Sequence, residues 1–266
     1  MGLLVGTTPV LDLFAGVETL TDYVARYRPI VAGTAEIDDN FNRADTTELG
    51  TGWTPRAGWN PLSIVSNRAV PSAAGPTCVE DSTIALSSDD MWAEMTVRLG
   101  GATFIGLLVR GIGGARAEVG AEINAEFRYE LVEFIDGTHV TRAVTGPGTV
   151  PTGTDLTLRI ECLGAQARYY VNGVLTLSAT LTTRLTGRRV SFGATDQGGS
   201  VTTQFDNVRA GPLTGGTWTD FAGSVSTAPN MVVTGLTGGT PYEFQVAGVS
   251  SFGTGDYSSG VVATPT

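Results

Sequence analysis

From about residue 37 to 212 the chain alternates apolar and polar side chains with a period of two, and this alternation constrains its fold more than any other feature. In "MWAEMTVRL" (91 to 99), Ala93, Met95, Val97 and Leu99 fall on one face, and Trp92, Glu94, Thr96 and Arg98 on the other. A strand with one apolar face needs a second layer to cover it. "FRYELVEF" (127 to 134) runs into Asp136-Gly137, and "ARYYVNGVLTLSA" (167 to 179) carries Asn172-Gly173. Both dipeptides mark two-residue hairpins, because a type I′ turn needs positive φ at both central residues. Short antiparallel strands without helical interruption predict an all-β two-sheet sandwich.

Composition agrees with that pattern and narrows the partners. The 266 residues include 36 glycines and only 16% charged side chains, as expected for strands joined by tight turns. All 16 basic residues are Arg and the formal charge is −10, which repels phosphate backbones and argues against nucleic-acid binding. No apolar run approaches membrane-spanning length. The N-terminal "MGLLVGTTPVLDLFAG" lacks a basic leader region, so the expectation is a soluble product without a classical export signal. Cys78 and Cys162 have no metal-ligand spacing, and Cys162 continues the alternation of Leu156, Leu158 and Ile160, as a buried free thiol would.

A different periodicity precedes this region. Val10, Leu13, Val17, Leu20, Val24 and Tyr27 recur at spacings of three and four, which predicts a short helix over 9 to 28. Thr8 and Pro9 would start it and Pro29 would stop it. Leu13, Val17, Leu20 and Val24 are the candidate oligomerisation seam, since so short a helix needs a partner surface, on its own domain or on sister chains.

Several motifs carry a family resemblance. "DNFNRADTTELGTGW" (39 to 53), "FIGLLVRG" (104 to 111), "YYVNGVL" (169 to 175) and "TQFDNVRAGP" (203 to 212) resemble the concanavalin A-like, laminin-G-like jelly rolls, above all copies in tail and other virion proteins of phages infecting actinobacteria. That resemblance implies that the first and last strands are neighbours, bringing Phe41 beside Phe205. "VTGLTGGTPYEFQVAGVSSFGTGDYSSGVVATPT" (233 to 266) resembles the last strands of a fibronectin type III module, with Tyr242 at its tyrosine corner. A module of that type needs roughly 100 residues, so a half copy is expected, with an apolar face to be covered by the jelly roll, a sister subunit or another protein. The expected domains are an N-terminal attachment segment (1–36), a lectin-like jelly roll (37–212) and a partial fibronectin-like unit (213–266).

Candidate chemistry is sparse. Glucanases of the resembled superfamily carry Glu-x-Asp-x-Glu on one strand, and no such triplet occurs. Glu122, Glu126 and Glu130 are four apart, and they read as solvated or ion-paired strand residues. His139, the single histidine, follows a hairpin turn and reads as polar surface. The resemblance implies calcium as a cofactor, since related jelly rolls often hold it; Asp38, Asp39, Asp45 and Asp206 would be the ligands if the end strands converge, and the same residues serve equally as turn caps. The glycan-binding candidates are Trp59, Asn60, Trp92, Arg98, Arg110, Arg128 and Glu130, which combine aromatic platforms with hydrogen-bonding groups.

These features point to a non-enzymatic virion structural protein, a minor tail protein before a capsid decoration or head-fibre protein. Its expected partners are further copies of itself, other virion proteins and host-surface glycans, with no membrane insertion. The alternative is a bacterial carbohydrate-binding protein or glycan hydrolase.

Overall fold

The computed structural model describes residues 3–4, 22–72, 77–100, 102–112, 117–148, 150–196, 203–221 and 232–265. Among these residues every regular element is a β-strand. They belong to two units, residues 32–213 and the combination of 1–31 with 214–266.

The larger unit is a sandwich of two antiparallel sheets. One sheet runs Thr138–Val144, Tyr129–Ile135, Val119–Ile123, Ala102–Gly111, Arg189–Asp196, Thr77–Ser82, Trp53–Pro55. The facing sheet runs Val174–Thr180, Gln166–Val171, Asp155–Leu163, Met91–Arg98, Gln204–Gly215, with Ile37–Asp39 paired to the last of these. Period-two alternation now has its physical cause. Ala93, Met95, Val97 and Leu99 are buried against Ile105, Leu107, Val109 and Phe192 of the opposite sheet in one continuous core. Each large side chain so buried contributes about 1.5–3 kcal/mol relative to exposure. Cys78 and Cys162 are both buried, and burial pushes the Cys162 thiol up to about 12.

The hairpin turns form where the dipeptides placed them. Asp136 and Gly137 have φ of 49° and 83°, and Asn172 and Gly173 have 50° and 78°, the left-handed geometry of type I′ turns. A third such turn uses Ser66 and Asn67, at φ 52° and 62°, between Leu62–Val65 and Arg68–Pro71. Without a glycine it carries no strong sequence signal.

At the closing seam Asp39 pairs with Val208, so the first and last strands are neighbours. Phe41 and Phe205 meet through a third ring: each packs against Phe192, with centroids 5.9 and 5.4 Å away. Trp53 adds an edge-on contact to the same ring at 4.8 Å. Asp39 holds this arrangement, accepting hydrogen bonds from the Phe41 N–H at 2.9 Å, Trp53 Nε1 at 2.9 Å and Arg43 at 2.7 Å.

The smaller unit corrects the last part of the helix expected over 9 to 28, residues 22 to 28; residues 9 to 21 lie outside the described residues. Residues 22 to 32 form the strand Asp22–Ala32, antiparallel to Tyr242–Ser250 from Asp22 opposite Val249 to Pro29 opposite Tyr242. Tyr23, Val24, Tyr27, Ile30 and Val31 are the β-branched and aromatic types that suit a pleated surface, and the ladder with Tyr242–Ser250 satisfies their backbone. Of the proposed oligomerisation seam, Val24 therefore lies on a strand, opposite Ala247. Leu13, Val17 and Leu20 lie outside the described residues. Cover for the C-terminal strands comes in part from the N-terminal segment itself: Tyr27 packs against Tyr242 and Phe244 at 5.8 and 6.4 Å between ring centroids. The Tyr242 hydroxyl accepts from the Thr237 N–H at 3.2 Å. Among the described residues, strands from both ends of the chain share this one unit, and no separate fibronectin type III module is set apart.

Candidate functional site

The outer face of the seven-stranded sheet carries a cleft of about 390 Å³, lined by side chains that include Trp59, Phe104, Leu108, Glu122, Phe134 and His139. Strand register builds its floor. One row across the sheet reads Val79, Gly193, Gly106, Glu122, Glu130, each residue directly opposite the next. Two adjacent glycines leave this row without side chains at its centre, and that is where the cleft opens. The next row pairs Thr77, Thr195 and Phe104, with the two threonine hydroxyls 3.0 Å apart and Phe104 38% exposed. Leu108, Val132 and Phe134 form a small apolar cluster on this face, apart from the main core.

Polar groups converge at one end of the floor. Glu122 Oε2 lies 3.1 Å from His139 Nε2. Glu130 accepts from Asn124 Nδ2 at 2.9 Å and from the Thr141 hydroxyl. Glu122 and Glu130 are 7% and 5% exposed, while the His139 ring is open to solvent and packs edge-on to Phe134 at 5.3 Å. On the opposite wall, Arg56 is buried and its charge is matched by Asp81 at 2.6 Å and Glu118 at 2.5 Å. Its guanidinium also lies 5.4 Å from the Trp59 ring and fixes that platform at the rim.

The predicted glycan residues divide between the two faces. Trp59 lines the cleft, and Glu130 lies directly opposite the cleft-lining Glu122 on the adjacent strand. Asn60 adjoins Trp59, its N–H donating to Thr77 O at 3.1 Å. Arg128 sits in the turn between the two glutamate strands and pairs with Glu126 at 2.5 Å. The other three belong elsewhere. Trp92 is 3% exposed on the facing sheet, with Arg159 4.7 Å from its ring. Arg98 pairs with Asp155 at 2.8 Å. Arg110, expected on an outward face, is fully buried: its guanidinium donates to the carbonyls of Asp89, Gly164 and Arg184 at 2.9, 2.8 and 3.1 Å. A positive φ of 57° at Arg110 breaks the strand alternation that the sequence pattern assumes.

The calcium set does not converge. Asp39 is taken up by Arg43, Trp53 and the Phe41 N–H, Asp45 accepts from the Ser66 N–H at 2.9 Å, Asp38 pairs with Arg209 at 3.4 Å, and Asp206 caps the N–H of Asn207 at 2.8 Å. The end strands do pair, but their carboxylates turn to separate protein donors. Among the described residues, the group of His, Cys, Asp or Glu ligand atoms lying within 4.8 Å of one another is Glu122, Glu130 and His139.

Sequence reasoning set Glu122 and His139 aside, and the reason is register. Glu122 and Glu130 are not on one strand; a turn over 124 to 128 folds them into a directly opposed pair. The Asp136-Gly137 turn likewise places His139 opposite Phe134, on the strand beyond. Counting both hairpins outward from their turns would have found this trio.

Comparisons with known proteins agree on the sandwich and go no further. No family model matches the chain, and no curated protein matches it. Among solved structures, the carbohydrate binding module CBM66 from Bacillus subtilis aligns at a TM-score of 0.51 and 18% identity, over 60% of this chain and 96% of its own. The Bacillus licheniformis beta-glucanase aligns at 0.51 and 14%, over 68% and 99%. A Bacillus subtilis protein of unknown function with a galectin-like fold aligns at 0.53 and 8%, over 69% and 98%. At these identities the likeness establishes a concanavalin A-like, two-sheet jelly roll.

Proposed function

We propose that this chain is a carbohydrate-binding protein whose site is the cleft on the seven-stranded sheet. The observation that carries the proposal is the combination, in one groove, of aromatic walls at Trp59 and Phe104 with a glycine floor and an acceptor carboxylate at Glu122, backed by Glu130 on the adjacent strand. Sugar rings offer apolar faces to aromatic platforms and hydroxyl donors to carboxylates, and such a groove meets both needs. The glutamates, in a chain with a formal charge of −10, favour neutral glycans over acidic ones. Folds like this one serve both a carbohydrate binding module and a glucanase, which supports the ligand class.

Binding rather than hydrolysis is favoured by how Glu130 is held. Both of its oxygens accept protein hydrogen bonds, from Thr141 and Asn124, whereas a hydrolytic pair needs one carboxyl that donates a proton across the scissile bond. The virion setting, with a tail location ahead of the capsid, and the fibronectin-like kinship of the C-terminal strands rest on sequence resemblance. In that setting many copies would strengthen weak glycan contacts through avidity.

Isothermal titration and affinity electrophoresis against neutral polysaccharides test the proposal. The expected result is retention by at least one of them, weakened about tenfold by Trp59→Ala, a loss in line with one stacking platform. Release of reducing sugar would replace binding with hydrolysis, and retention unchanged by Trp59→Ala would move the site elsewhere.

A further inference from the structure

We infer that Glu122, Glu130 and His139 form a binding site for a divalent first-row transition metal ion at the polar end of the cleft floor. The three belong to three adjacent strands, so the sheet itself fixes their relative positions. Their ligand atoms lie within 4.8 Å of one another, and His139 Nε2 is 3.1 Å from Glu122 Oε2. Small side-chain rotations bring three such atoms to a common centre about 2 Å from each, as zinc-type coordination requires.

Charge supplies the second argument. Glu122 and Glu130 are directly opposed and more than nine-tenths buried, yet among the described residues no arginine pairs with either one. Two facing carboxylates in such a place repel each other unless a cation stands between them. The neighbouring acids differ: Glu118 has Arg56 at 2.5 Å and Glu133 has Arg142 at 2.5 Å. Only the pair facing His139 is left to a histidine.

The donor set names the class of ion. One imidazole with two carboxylates suits zinc and its first-row neighbours better than calcium, which takes six to eight oxygens. Glu130 is steadied from behind by Asn124 and Thr141, the supporting shell that metal carboxylates use. Three protein ligands leave a fourth position facing the cleft, open to water or to a hydroxyl of a bound ligand.

The inference is independent of the carbohydrate proposal, because its test contains no sugar. Tag-free full-length protein is stripped with chelator and titrated with zinc chloride by calorimetry, then with cobalt(II) by visible absorption. One ion per chain is expected, with a low-coordinate cobalt band. His139→Ala and Glu130→Gln should each weaken zinc at least thirtyfold, with circular dichroism confirming that both variants fold. Absence of zinc binding, or binding unaffected by both substitutions, overturns the inference.

Discussion

Trp53 Nε1 donates to Asp39 Oδ2 at 2.9 Å, tying the turn after the first strand of the sandwich to the ring that packs on Phe192. The same carboxylate also binds Arg43 and the Phe41 N–H, so a single side chain organises the seam where the jelly roll opens and closes.

Asp39→Ala should therefore destabilise the sandwich by about 2–4 kcal/mol, the cost of leaving several donors without their charged acceptor. Burial works against the Asp39 carboxylate, but the hydrogen bonds from Arg43, Phe41 and Trp53 outweigh it and hold its pKa below the usual carboxylate range. A depressed carboxyl stabilises the fold above its unfolded pKa, and this contribution is lost as pH falls through the folded value. Urea midpoints measured from pH 6 downward should show the wild type losing stability below about pH 4 and Asp39→Ala losing less of it.

Glu80 predicts the opposite slope. It is fully buried; the Leu62 N–H donates to one carboxyl oxygen at 2.8 Å, and the other has no hydrogen-bond partner among the described residues. Burial pushes its pKa up to about 7, against the lowering effect of the Leu62 N–H. Between the ordinary glutamate value and about 7 the folded chain holds a proton that the unfolded chain has released, so this group's contribution falls as pH rises through that window. Glu80→Gln keeps an acceptor for Leu62 and should flatten the stability profile there. A slope that persists in the variant would assign the effect to another group.

Arg110 is a structural residue by this account. Arg110→Lys should cost more than 2 kcal/mol, because a lysine lacks the planar fork that reaches Asp89 O, Gly164 O and Arg184 O together. Chemical denaturation reads that cost. Unchanged stability with weakened glycan binding would return Arg110 to the ligand-binding set.

How much of this was legible in the sequence depends on what each residue's position depends on. The core face of Met91–Arg98 follows from alternation alone, and so do the turns at Asp136-Gly137 and Asn172-Gly173. Asp22–Ala32 was misread because its apolar residues also fit a helical spacing, and only pairing with Tyr242–Ser250, more than 200 residues away, decides between the two. Arg110 defeats alternation through its left-handed backbone. The cleft was hardest to see, since its floor is a row assembled from five strands. Gly106 and Gly193 mean nothing in isolation, and the opposition of Glu122 to Glu130 exists only once the turn between them has formed.

Gly106→Val asks whether the cleft is the carbohydrate site. A Cβ there would meet Leu108 Cδ2 at 3.4 Å and Glu122 Oε1 at 3.6 Å, ordinary contacts, so the strand accepts the side chain while the cleft floor is filled. Titrating wild type and Gly106→Val with a retained neutral polysaccharide should show binding in the first and at least a tenfold loss in the second, with the melting temperature of the variant equal or higher. Equal binding by both proteins would contradict the assignment of the carbohydrate site to this cleft.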